Sequence, residues 1–457
     1  MSESNSTPPS QVSSSADKTT ADTIEEKPAD KNPWWKSIGP ALITACVVFG
    51  PGSLVISSKV GATYGYELLW LLVLNGILMG TFLTMGARIG VVGGATPCQL
   101  LAKHANRPIA FITGLTLCLV ATAFQFSNNL AVALAAGAFA PEQAVLWIVI
   151  GLNVAIAVFL FTAKQVYKAM ERMIKVMVGV ILICFLFNLI AAFIKEQPAA
   201  MSILGGFIPG VPEDISFGLP KIADGKLAMD PMVLIASLVG TTLSIAGAFF
   251  QGNLVRERKW TINDYEGSIG DSIAGVCVIV GVSMIIMMTA ATVLLGNPAD
   301  NIGDLALSLQ PLLGNAAYWI FCIGLVAVAI NPFMINAIIG GTILADAAGT
   351  KAGISDRLPR IFTIIVMTIG MGIALKAMQS GAKPVNLMIL GQALTVIGNP
   401  LMAASLLWLA NNKKIMGERR NGWLANTLGG IGFLVVLLLA IRVLIIVVLK
   451  IKLAMGA

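Results

Sequence analysis

The sequence predicts an all-α polytopic membrane protein, and three observations carry that prediction. Hydrophobic residues fill 57% of the 457 positions and charged residues only 12%, a balance that cannot surround a single water-soluble core; mean hydropathy is +0.85. The chain divides into eleven apolar segments, each near the ~20 residues that cross a hydrocarbon core. The first of these is interrupted by Gly50-Pro51-Gly52-Ser53, and a Gly-Pro-Gly will not hold a continuous helix.

The predicted spans are 38–60, 67–92, 108–138, 144–163, 173–194, 231–255, 271–296, 316–346, 360–378, 385–410 and 424–449. Ahead of them, residues 1–32 are rich in Ser, Thr, Pro, Asp and Lys and read as a disordered cytoplasmic tail. They lack the apolar centre of a signal peptide. Trp34 and Trp35 suit an interfacial anchor. Residues 33–450 then form one transmembrane domain, with 38–194 and 231–410 as two five-span halves and 424–449 as an extra span 11.

Basic residues set the expected orientation. Loops on the amino-terminal side hold clusters such as Lys164, Lys168, Arg172 and Lys175, or Lys413, Lys414, Arg419 and Arg420. Loops on the other side hold chiefly Lys195, Lys221, Lys226 and Lys383. This places the N-terminus in the cytoplasm and, after an odd number of spans, the C-terminus outside. Lys450 and Lys452 fall on the minority side. The membrane expected is a bacterial inner membrane, because the loops are short and no organelle-targeting segment is visible. In a soluble chain the net charge of +7 would suggest nucleic acid; here it belongs to the loops.

Five spans is an odd number, so a second half of the same design enters from the opposite side and produces an inverted repeat. The break in span 1 then requires a counterpart in span 6. Gly252, between Gln251 and Asn253, is expected to supply it and to face Gly50 near mid-membrane. Unwound backbone in a bilayer is tolerated where it is buried in protein or lines a cavity, so the breaks mark a transport site.

Polar side chains support that location. Gln125, Asn128, Asn129, Gln251, Asn253, Asn331, Gln392 and Asn399 are costly in hydrocarbon unless they meet one another or water. They suggest a polar cavity shared by spans 1, 3, 6, 8 and 10, against the alternative of interhelical hydrogen bonding. Titratable groups are nearly absent from the central thirds of the spans, with Arg88 and Arg442 as exceptions. The six cysteines stand singly and read as small core residues. His104, the only histidine, is expected in a short basic loop with Lys103 and Arg107, so no histidine cluster is available to a transition metal and no Ser-His-Asp or Cys-His arrangement points to an enzyme. No cofactor and no obligate protein partner are implied.

Several motifs in order resemble the NRAMP family of divalent metal transporters. Gly39-Pro40-Ala41-Leu42 precedes Gly50-Pro51-Gly52-Ser53, which aligns with the family's DPGN; Tyr64-Gly65-Tyr66-Glu67-Leu68-Leu69-Trp70 follows like its FGYKLLW. Ala87 to Gly94 resembles ARLGxVTG, Asn253-Leu254 matches the end of MPHNL, and Gly391-Gln392 through Asn421 resembles span 10 and its tail. The resemblance implies the LeuT-type fold of five plus five inverted spans with discontinuous spans 1 and 6.

It also shows where this chain departs from the family. Gly50 stands at the family's metal-binding Asp, Ser53 at its Asn and Phe250 at its Met, with Gln251 and Gly252 in place of Pro and His. The acidic pair of span 3, implied in proton movement, aligns with Gln125 and Asn128, and the second span 6 histidine with Glu257. Thioether and carboxylate ligands select transition metals, whereas hydroxyl, amide and backbone oxygens do not. Soft-metal selectivity and proton coupling are therefore disfavoured.

The resulting expectation is a secondary transporter working by alternating access, with a small inorganic cation as its substrate. Its binding residues are Gly50, Gly52, Ser53, Phe250, Gln251 and Asn253, with Gln125, Asn128 and Gln392 nearby. Ser53 and Gln251 are the candidate metal ligands, and Phe250 closes the pocket. Two rivals stay open: a transporter of the same fold for a neutral or anionic organic solute, and a sensor or scaffold that lost the site.

Overall fold

The computed structural model describes residues 44, 50–137, 140–162, 166–215, 218, 220, 222–223, 226–227, 230–296, 332–379 and 384–454. Among these, nine helices are long and apolar enough to cross a membrane. They match predicted spans 2–7 and 9–11. The described parts of the other two are Thr44, Gly50 and α1 (Pro51–Tyr64), from span 1, and Pro332–Ala347, the end of span 8. The tail at 1–32, Trp34, Trp35, Cys46, Cys322 and Asn331 lie outside the described residues.

In chain order, α2 is Leu69–Gly93, α3 Pro97–His104, α4 Arg107–Gly137, α5 Glu142–Thr162, α6 Val166–Glu196 and α7 Ala200–Gly205. A two-stranded antiparallel ribbon follows, Ile222–Ala223 with Lys226–Leu227. Then come α8 (Pro231–Thr242), α9 (Ile245–Glu257), α10 (Tyr265–Val293), α11 (Pro332–Ala347) and α12 (Arg357–Met378). The chain closes with α13 (Pro384–Thr395), α14 (Asn399–Asn411), α15 (Lys413–Met416) and α16 (Trp423–Ala454). His104 thus ends a helix instead of lying in a loop.

The predicted break in span 1 is present. Gly50 is extended, with φ −116° and ψ 177°, and its carbonyl accepts the first helical bond of α1 from Leu54 N at 3.1 Å. Pro51 occupies the first turn, where a missing N–H has no helical partner to lose. At the other end Gly65 takes φ +60°, a conformation that favours glycine.

Span 6 breaks elsewhere than expected. The interruption lies at Leu243–Ser244, between α8 and α9, and Gly252 sits inside α9. Thr241 and Thr242 turn their hydroxyls back onto Ser237 O and Leu238 O, a habit that bends helices. Ser244 then restarts the chain as an N-cap, its Oγ accepting from Gly247 N at 3.4 Å. Gly252 serves packing: a Cβ there would stand 2.6 Å from Pro97 Cγ, while one at Gly50 would meet Pro332 and Asn128. The two glycines have different neighbours.

Span 10 is also interrupted, by a 3-10 turn at Val396–Gly398 between α13 and α14. Pro400 follows in the first turn of α14, where its missing N–H has no helical partner to lose. The two breaks are tied together, because Asn399 Nδ2 donates to Leu243 O at 3.4 Å and so satisfies a carbonyl released by the unwinding.

The packing carries an inverted repeat. Span 1 (α1) lies on span 7 (α10), and the second half of span 6 (α9) lies on span 2 (α2). These contacts exchange when spans 1–5 are mapped onto spans 6–10. Close approach at the second contact depends on Gly86, where a Cβ would fall 1.9 Å from Ala248 O. The segment after α6 is pinned over spans 1 and 2: Trp70 N donates to Gly206 O at 2.8 Å and Trp70 Nε1 to Gly210 O at 2.9 Å. Apolar residues such as Ile183, Leu438 and Trp147 are exposed on the outer helices, as a lipid-facing surface requires. Cys277 is exposed as well, so the small-core reading holds for Cys98 and Cys118 but not for it.

Candidate functional site

Three groups of hydrogen bonds organise the expected site residues. The first surrounds the break in span 1. Gly52 lets the side chain of Gln392 reach the α1 backbone, since a Cβ on Gly52 would stand 2.1 Å from Gln392 Nε2. Gln392 Nε2 donates to Ser127 Oγ at 2.8 Å, and Asn128 Nδ2 donates to Gln125 Oε1 at 3.4 Å. All four of these side chains are buried, and so is Ser53. Gln392 Oε1 and Gln125 Nε2 have no hydrogen-bond partner among the described residues. A buried acceptor left in that state costs about 1–3 kcal/mol, which a bound cation or water would recover.

The second group joins spans 1, 6 and 7. Thr44 Oγ1 donates to Gln251 Oε1 at 2.7 Å, and Gln251 Nε2 donates to Asp271 Oδ2 at 3.3 Å. Gln251 therefore already uses its carbonyl oxygen within the protein. The third group lies further along α9, where Asn253 Nδ2 donates to Asp346 Oδ2 at 3.3 Å and Thr96 Oγ1 donates to Asp346 Oδ1 at 2.8 Å. Phe250, fully buried, stands with Asn253 at the wall of a cavity of about 250 Å³.

Asp271 and Asp346 are the feature that the sequence reading missed. They are the buried carboxylates among the described residues, 0% and 2% exposed. Both fall at predicted span ends, where an acidic side chain is expected to reach the interface. The structure instead begins α10 at Tyr265, which carries Asp271 into its second turn, and ends α11 at Ala347, within the protein. A carboxylate one turn inside an apolar segment, opposite an intramembrane Gln or Asn, was the available signal.

The remaining polar residues serve packing. Asn129 donates to Gln125 O and accepts from Asn153 Nδ2, both at 2.8 Å, joining α4 to α5. Arg88 bonds to Asn421 before α16. Arg442 holds Asp230, the N-cap of α8, through Nε at 2.8 Å and Nη2 at 2.9 Å.

Two broken helices from opposite halves of an inverted repeat, with buried amides gathered at the breaks, define a membrane-embedded secondary transporter. The comparisons narrow the class. The sequence profile described as natural resistance-associated macrophage protein-like matches residues 41–446, and the chain belongs to that family. The divalent metal cation transporter MntH of Acidiphilium cryptum is 24% identical over 404 residues, 87% of this chain and 88% of that protein. MntH of Klebsiella pneumoniae is 23% identical over 415 residues, 87% and 90% of the two. Among solved structures, the manganese transporter of Eremococcus coleocola aligns with a TM-score of 0.72 at 19% identity, covering 93% of this chain and 90% of that one. Mhp1, a nucleobase-cation-symport-1 family transporter, aligns with a TM-score of 0.53 at 15% identity, covering 91% and 93%. These two similarities establish the LeuT-type fold.

Proposed function

We propose that the protein is a secondary transporter that moves a divalent inorganic cation across a bacterial inner membrane by alternating access. The single observation that carries this reading is the arrangement at the first break, where Gln392 Oε1 lies buried and unpartnered among the described residues beside Gly52 and Ser127. Family membership and the printed activity of the MntH relatives support the cation. The local donors are amide, hydroxyl and backbone oxygens. They favour a hard ion of the Mg or Mn type over softer metals.

Charge compensation comes from the side of span 7. With Gly50 at the position of the family's Asp, the carboxylate of Asp271 stands behind Gln251 and offsets part of the cost of bringing a cation into the membrane. Ser53 and Gln392 contact the ion, Phe250 closes the path, and Gln125 and Asn128 shape the opposite wall. The N-terminus is cytoplasmic and the C-terminus external, as the Lys and Arg asymmetry of the loops favours.

The test is uptake into proteoliposomes loaded with a metal-sensitive dye, with Mg and Mn offered separately. Saturable influx, reduced at least tenfold by Gln392→Ala or Ser53→Ala, is the expected result. Absence of influx for every metal would sink the reading.

A further inference from the structure

The cavity beside the carboxyl-terminal half of α9 is built for more than passage. Its wall includes Asn253, Arg256 and Glu257 of α9, Thr96 before α3 and Thr342 of α11. Two of these carry an oxygen with no hydrogen-bond partner among the described residues, Asn253 Oδ1 and Thr342 Oγ1, in side chains 6% and 1% exposed.

Behind the wall stands Asp346, whose partners Asn253, Thr96, Gln99 and Cys98 are all neutral. No cationic side chain pairs with it among the described residues. A buried carboxylate without a counter-charge carries a large desolvation cost, and a cation nearby would offset it. Asp346 also fixes the direction of Asn253: by taking the amide nitrogen it leaves the carbonyl oxygen as the group turned elsewhere. Glu257 adds a second carboxylate to the wall. Arg256, the cationic residue there, donates through Nη1 to Trp260 O at 3.4 Å.

We propose that this cavity is a second cation site, separate from the helix breaks, for a divalent ion that keeps most of its water. Asn253 Oδ1 and Thr342 Oγ1 meet the ion or its water shell, and Asp346 and Glu257 supply the charge. A dehydrated chelate is not built, because no group of three or more His, Cys, Asp or Glu among the described residues could hold a metal ion. A hydrated ion suits the space: six waters at ~30 Å³ each fit within the cavity. The inference rests on the cation reading of the protein, and it adds a waiting position between the breaks and one membrane face.

The deciding experiment is a titration of the purified full-length protein with Mn, following free hexaaqua Mn by electron paramagnetic resonance. Two classes of bound Mn are expected. Asp346→Asn and the near-isosteric Thr342→Val should each weaken one class about tenfold or more, while Gln392→Ala weakens the other. Thr342→Val keeps the test valid if Asp346→Asn fails to fold. A single class lost only in Gln392→Ala would overturn the second site and leave the transport reading standing. A single class lost only in Asp346→Asn and Thr342→Val would support the second site and remove the ion from the breaks. No bound Mn at all overturns the proposal.

Discussion

Gln251 Nε2 and Asp271 Oδ2 meet at 3.3 Å although twenty positions separate them in sequence, and both side chains are fully buried. The bond crosses from span 6 to span 7, while Thr44 of span 1 donates to the same glutamine at 2.7 Å. One amide therefore couples three spans around a carboxylate. Gln251→Leu removes a donor from the carboxylate and the acceptor from Thr44. It should lower stability by about 1–3 kcal/mol, seen as a lower melting temperature in detergent. Gln251→Glu should be worse, because a second carboxylate is then pressed against Asp271. An unchanged melting temperature in both variants would show that the bond contributes nothing.

Gly52 is fixed by proximity and not by backbone conformation. Gly52→Ala places a methyl on the Gln392 amide, and the far end of a flexible side chain can move aside. The variant should fold, with a loss of about 1–3 kcal/mol, and should lose uptake because Gln392 leaves Ser127. Adding Gln392→Ala should restore most of the stability and none of the transport, a pattern that a double-mutant cycle reads directly.

Arg442 and Asp230 form a two-pronged ion pair between α16 and the start of α8, with side chains 14% and 7% exposed. Either Arg442→Met or Asp230→Asn should cost about 3–5 kcal/mol, because each leaves a charge in a poorly solvated position. The double variant should recover most of that loss. Raising the salt concentration should change little, since a pair so shielded is weakly screened.

Cys98, on the short helix α3, is fully buried, and burial pushes its thiol well above the usual range, with the Asp346 carboxylate adding to the rise. A raised thiol pKa means that the reactive thiolate is scarce at neutral pH and grows only as pH climbs. A variant retaining Cys98 alone should resist maleimide at neutral pH until it is unfolded. Rapid labelling of Cys98 in the folded protein would contradict the buried geometry.

The sequence by itself determined the class and the places of the described spans. Apolar runs of near-constant length have one stable solution in a bilayer, helices that satisfy their own backbone, and nine full spans appear where hydropathy placed them. The break at Gly50 was also legible, because Gly-Pro-Gly is a property of the local chain. Where span 6 yields was decided by local capping groups acting together with a tertiary contact. The interruption falls at Leu243–Ser244 instead of Gly252 because the hydroxyls of Thr241 and Thr242, the cap of Ser244 and the reach of Asn399 from span 10 act together there. Glycine at 252 answers to the close approach of Pro97, a neighbour 155 positions away that no local pattern announces. The buried carboxylates follow the same rule. Whether Asp271 and Asp346 face water or protein depends on which helices pack across them, and that packing exists only once the spans have assembled.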